Sequence, residues 1–253
     1  MKKLLSFAFI IPMAILAVAT SGAFTNDMTI NWGLKPNENG QTPTPPAGSV
    51  ELLEKHNGIF VGDTTKNEIF LTFDLGYEAG YTAEVLDILK KNNIKAIFFL
   101  CSNYLKEVEL VNRMIDEGHI IGNHTDRHLD LPTLSDDGIK RDIVDFTTKF
   151  NEKYGDKNHT IKHFRPPKGR VSTRVLELTA EQGLKTVMWS SAIVDWNKSP
   201  IDAKASADKI TRRIHPGAIV LLHIANSGMP KMLDLLIPQL TEKGYTFGDA
   251  TQL

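Results

Sequence analysis

From about residue 67 onward, apolar residues fall along the chain in two alternating rhythms. Short, nearly unbroken runs at 69–73, 94–100, 119–122, 163–165, 186–189, 218–222 and 245–247 read as buried strands. Between them apolar positions recur at helical spacing. Ile139, Ile143, Phe146 and Phe150 form one stripe behind Ser135, a side chain suited to cap a helix start. Ser172 precedes a second such segment, and Leu233, Leu236, Ile237 and Leu240 line a third. Helical segments close on glycine at Gly118, Gly183 and Gly244, where a left-handed residue can end a helix before the next strand. Strand and helix alternating in this way predict an α/β protein with a parallel sheet covered by helices. A distorted (β/α) barrel of about seven parallel strands with outer helices fits best, and a doubly wound open sheet is the alternative.

The first 66 residues follow neither rhythm. Met1-Lys2-Lys3 leads into an apolar stretch that runs to Ala19 and is followed by small residues, so 1–23 reads as a signal peptide, with an uncleaved membrane anchor as the alternative. Residues 24–66 read as an extended linker and N-terminal flank, because KPNENGQTPTPPAGS (35–49) is rich in Pro, Gly and polar side chains. A short helix is expected near Val50 to His56. The main folded unit is then 67–253, and the chain beyond the leader is long enough to bury a sizeable core. A net charge of −1 with no basic block argues against nucleic acid as a partner. Cys101 is the only cysteine, so no disulfide framework exists and the expected export route must tolerate a free thiol. Any membrane contact would run through the N-terminal segment.

In a parallel barrel, chemistry collects at the carboxyl ends of the strands. The residues found there are Asp74, Cys101-Ser102, Asn123-His124, Arg165, Asp195 and His223. His124 and His128 stand four apart, and on a helical turn or in a tight loop both rings can converge on one point, as metal ligands do. In a chain with eight histidines that spacing does not decide the matter alone.

LTFDLGYEAGYT (71–82), GNHTDRH (122–128), RPPKG (165–169), VDW (194–196) and LLH (221–223), in this order, resemble the five motifs of the polysaccharide deacetylase (NodB-homology) family. The flanks NWGLKP (31–36), GDTTKNEIFLTFDLGYE (62–78) and HPGAIVLLH (215–223) are similar to its delta-lactam-biosynthetic de-N-acetylase subgroup, which acts on N-acetylmuramic acid in peptidoglycan. The resemblance covers roughly 67–253 and implies metal-assisted removal of an N-acetyl group outside the cytoplasmic membrane. It implies His124 and His128 as ligands of a divalent metal, zinc in expectation, and Asp74 as the base. Arg165 would hold Asp74 ionised through a bidentate pair. His223 would protonate the departing amine, with Asp195 orienting its ring and raising its pKa. Trp196 and Leu221 would wall a slot for the sugar face and the acetyl methyl. Lys168, where the family usually has Tyr, would offer its backbone N–H to the oxyanion. One position departs from the pattern: Leu75 replaces the carboxylate that supplies the family's third metal ligand. Two rivals remain open. One is a cell-wall glycan-binding module of the same fold, without turnover. The other is a glycosidase using Asp74 and Asp195 as its carboxylate pair.

Overall fold

The computed structural model describes residues 27–37 and 40–253, so the expected leader, 1–23, lies outside the described residues. In chain order the elements are β1 (Ile30–Asn31), α1 (Ser49–Lys55), β2 (Glu68–Leu75), α2 (Thr82–Lys91), β3 (Ile97–Leu100), α3 (Val108–Asp116), β4 (Ile120–Asn123) and α4 (Asp136–Tyr154). They continue with β5 (His163–Phe164), β6 (Arg170–Val171), α5 (Thr173–Glu181), β7 (Lys185–Thr186), β8 (Ser191–Ala192), α6 (Ala203–Arg213), β9 (Ile219–Leu222), α7 (Met229–Glu242) and β10 (Thr246–Phe247). The expected caps are present. The Ser135 hydroxyl accepts from the Gly138 N–H and the Ser172 hydroxyl from the Val175 N–H, each filling an orphan donor at a helix start. Gly118, Gly183 and Gly244 all have positive φ, so each helix they follow ends where only glycine turns without cost.

The main sheet has the order β7-β5-β4-β3-β2-β9-β8, with β10 beside β2, and all of its pairings are parallel. Its two ends, β7 and β8, belong to one short stretch of chain, 185–192. There the Val187 N–H still donates to the Phe164 carbonyl, and three residues later the Ser190 N–H donates to Ile219. Counting that stretch once, seven parallel runs curl into a half-barrel with the helices around it, which is the architecture expected from the sequence. Sequence pattern alone read 186–189 as an ordinary strand and missed the switch of partners within it.

Strand alternation decides what faces the interior. Ile69, Leu71, Phe73 and Leu75 of β2 pack in the apolar layer beneath the helices. Phe70 faces the other way, into the barrel, with Ile97, Phe99, Val187 and Ile219. With a side-chain period of two, Thr72 and Asp74 share the inward face with Phe70. Asp74 therefore ends a strand buried on both sides, pointing into the mouth of the barrel.

The N-terminal flank departs from the extended tether expected of it. β1 pairs antiparallel with β6, and the Trp32 N–H donates to the Gly169 carbonyl at 2.7 Å. Trp32, Leu53 and Phe60 are buried in a cluster with Val171, Leu176 and Met188. The Ile59 N–H donates to Thr186, so the flank lies along β7. Its Pro- and Gly-rich composition fits a strap whose few large apolar residues anchor it. Among the described residues no helix is long and apolar enough to cross a membrane.

Candidate active site

The site forms at the carboxyl ends of the strands, around a cavity of about 740 Å³. Asp74, His124, His128, Lys168, Trp196, Leu221 and His223 all line it, so seven of the nine expected residues face one cavity. The other two, Arg165 and Asp195, are fully buried and hold residues that do line it.

Arg165 follows β5 and is 0% exposed. Its Nη1 donates to Asp74 Oδ1 at 2.9 Å and to the Thr72 hydroxyl at 2.8 Å. Nε and Nη2 donate to the Val187 and Met188 carbonyls, and the guanidinium lies 4.3 Å from the centre of the Phe99 ring. The expected bidentate pair is therefore not formed. One nitrogen serves Asp74, because the kinked segment between β7 and β8 takes the remaining donors. The charge still does its work. Burial opposes the Asp74 carboxylate, but the charges around it, that of Arg165 foremost, outweigh it and hold its pKa below the ordinary value.

The two histidines sit in a tight loop after β4, not on a helix. Thr125 and His128 both have positive φ, and the His128 N–H donates to the Thr125 hydroxyl. The Thr125 N–H donates in turn to the Asn123 side chain. This loop folds the rings together, with centroids 5.0 Å apart. His124 Nδ1 lies 2.8 Å from the Arg165 carbonyl, which can only accept, so Nδ1 carries the proton and Nε2 presents a lone pair. That Nε2 is 3.6 Å from Asp74 Oδ2. Burial pushes the pKa of His124 down to about 4 and also lowers that of His128, where the charge of Lys168 adds to the effect. Both rings are neutral at pH 7, the state a metal ligand requires.

The donor set fits a divalent metal through two imidazoles and no further protein ligand. Among the described residues there is no group of three His, Cys, Asp or Glu able to hold an ion. Leu75 is 2% exposed, lines the cavity and packs in the helix-facing apolar layer.

Across the cavity, His223 follows β9. Its Nδ1–H donates to Asp195 Oδ1 and its backbone N–H to Oδ2, both at 2.8 Å. Asp195 is held by the Asn226 amide through its own carbonyl. Burial disfavours the His223 imidazolium, yet the hydrogen bond and charge of Asp195 outweigh it and raise the His223 pKa. Both carboxylate oxygens of Asp195 are committed to His223, which removes Asp195 from any glycosidase-type pair with Asp74. Cys101, at the end of β3, donates its thiol to the His124 carbonyl, and burial pushes its pKa up, so it is an inert packing residue.

Several wall residues escaped the sequence reading, among them Trp32, Tyr77, Asn103 and Trp189. Trp32 donates its indole N–H to the Trp189 carbonyl, so a residue from the flank helps to fix one wall of the site. The NWG triplet that contains it was the only available signal.

A half-barrel that gathers an Arg-held carboxylate, two neutral imidazoles and an Asp-held histidine around one cavity defines a hydrolase. The family model for polysaccharide deacetylases matches residues 61–187, and the chain belongs to that family. It is 41% identical over 220 residues to the peptidoglycan-N-acetylmuramic acid deacetylase PdaA of Bacillus subtilis, covering 86% of this chain and 83% of that protein. The solved structure of Bacillus subtilis PdaA, a family 4 carbohydrate esterase, matches with a TM-score of 0.81 at 39% identity, covering 87% of this chain and 94% of the other. A peptidoglycan-N-acetylglucosamine deacetylase of Bacillus cereus is 36% identical over 204 residues, 77% of this chain and 71% of its own.

Proposed function

We propose that this protein is an exported hydrolase that removes the acetyl group from N-acetylmuramic acid in peptidoglycan. The products are acetate and a free amine, as a step toward muramic delta-lactam in spore cortex. The observation that carries the reading is the placement of two oppositely tuned groups in one cavity: Asp74, whose pKa is held down beside Arg165, and His223, whose pKa is raised by its hydrogen bond to Asp195. Asp74 takes a proton from a water as the water oxygen bonds to the acetyl carbon. Nε2–H of His223 then gives its proton to the amide nitrogen as the C–N bond breaks. Arg165 keeps Asp74 charged, and Asp195 accepts from Nδ1–H of His223 and so fixes the orientation that presents Nε2 to the cavity. Trp196 and Leu221 give the sugar face and the methyl an apolar surface. A divalent metal held by His124 and His128 would lower the pKa of the attacking water and polarise the acetyl oxygen. The likeness to PdaA supports muramic acid over glucosamine as the sugar. Export is supported by the basic and apolar N-terminal sequence.

The test is acetate release and mass spectrometry of peptidoglycan glycans treated with the purified protein. Loss of one acetyl from muramic acid is expected. Asp74→Asn should reduce the rate about 100-fold or more with an unchanged melting temperature. Wild-type protein that leaves muramic acid acetylated, or a fully active Asp74→Asn, would overturn the assignment.

A further inference from the structure

We propose that Lys168 binds a carboxylate carried on the sugar next to the acetamido group, making it the residue that selects muramic acid over glucosamine; this rests on the peptidoglycan reading above. The two sugars share a ring and an acetamido group. They differ by a lactyl ether on the neighbouring carbon, which ends in a carboxylate. A site that tells them apart therefore needs a cation beside the reacting centre.

Among the described residues, Lys168 is the only lysine or arginine that lines the cavity. It is exposed, and among the described residues it forms no ion pair. Its backbone is held firmly. Pro166 and Pro167 precede it, and it adopts φ 60°, ψ 9°, a left-handed conformation that lysine seldom takes. Gly169 follows with φ +61°, and a Cβ there would lie 2.4 Å from the Trp189 ring, so the loop is pressed against that wall. The lysine is thus fixed at its root and free at its tip. A strained residue that is held in place by its surroundings, and whose charge has no ion-pair partner among the described residues, points to a ligand.

Position and chemistry agree. Lys168 follows closely on Arg165, whose guanidinium holds Asp74 and whose carbonyl orients His124. A sugar with its acetyl group at Asp74 would carry the lactyl carboxylate one ring carbon away, within the cavity that Asp74 and Lys168 both line. Much of the remaining wall is apolar, with Trp32, Trp189, Trp196 and Leu221. A carboxylate entering there loses water and needs a charged partner, which Lys168 provides.

The experiment compares two muramic-acid disaccharides, one with a free lactyl carboxylate and one with its methyl ester, by calorimetric binding to wild-type, Lys168→Met and Lys168→Arg proteins. The wild type should prefer the free acid by about tenfold or more, as expected for a charge-assisted hydrogen bond. The preference should vanish in Lys168→Met and survive in Lys168→Arg. A wild type without preference, or Lys168→Met that retains it, would overturn the proposal. Acetate release from the same glycans is read separately. Intact discrimination without acetate release supports Lys168 as the reader and counts against the hydrolytic reading alone.

Discussion

At the scale of single residues, the site works by setting two pKa values apart. Asp74 and His223 stand at the ends of adjacent strands, yet the pKa of the first is lowered and that of the second is raised. The sign for His223 follows from its raised pKa: the active, protonated form persists above the ordinary histidine value near 6.5 and is lost as pH rises through the shifted one. In Asp195→Asn the alkaline limb of the kcat profile should therefore move to lower pH, with kcat falling more than KM changes. An unmoved limb would show that Asp195 does not tune the acid. Leu75 poses the complementary question at the metal pair. Introducing Leu75→Asp restores a donor, so zinc should bind more tightly in a titration of metal-free protein. It also places a carboxylate in an apolar layer, so the melting temperature without metal should fall. Unchanged zinc affinity would show that position 75 does not face the pair. His124 and His128 became legible through the GNHTDRH motif around them, because their spacing alone does not decide in a chain with eight histidines. Trp32 and Trp189 could not, because an aromatic side chain follows the same pattern in a core as in a cavity wall.

At the scale of elements, the strands carry the plan and the loops carry the exceptions. Asp74, His124, Arg165 and His223 were legible because parallel strands deliver their carboxyl ends to one rim, and each residue stands at the end of an apolar run. The partner switch within 185–192 was not legible, since hydrogen-bond direction leaves no trace in an apolar run. The same buried strands explain an expected sensitivity to acid. His119 precedes β4 and His163 opens β5, and burial pushes the pKa of each down to about 4. Among the described residues His119 Nε2 and His163 Nδ1 have no hydrogen-bond partner, so neither ring is prepared to carry charge. The unfolded chain takes up these protons near pH 6.5 and the folded one only near 4. Stability should thus be full above about pH 6.5 and fall as pH drops toward 4, each residue adding a slope of roughly 1.4 kcal/mol per pH unit in that window. Urea midpoints measured across the window test this. His163→Leu should flatten the curve, and an unchanged slope would clear His163 of the effect.

At the scale of the whole molecule, the strap from Asp27 to Lys66 joins the fold to the chemistry. It pairs with β6, covers β7 and places Trp32 in the wall of the cavity. Its composition concealed this, because a few anchoring apolar residues scattered among Pro, Gly and polar side chains read as a tether. Deleting 27–66 should lower the melting temperature substantially, since Trp32, Leu53 and Phe60 leave buried positions. Trp32→Ala in the full chain should raise KM for glycan more than it lowers kcat, because the wall binds substrate without taking part in proton transfer. Equal kcat and KM in that variant would restrict the strap to a structural role.

The order of strands also sets a timetable. β2 is the first strand of the main sheet to leave the ribosome, yet along one edge it pairs with β9, and it pairs with β10 as well, the two strands made last. Contacts that span nearly the whole sequence close late and slowly. Until the final helix and strand are synthesised, the founding strand keeps an unmatched flank, and the barrel that buries Arg165 cannot form. A nascent chain with this topology stays loose for most of its synthesis, which is the condition a polypeptide needs if it is to be threaded through a membrane before it folds.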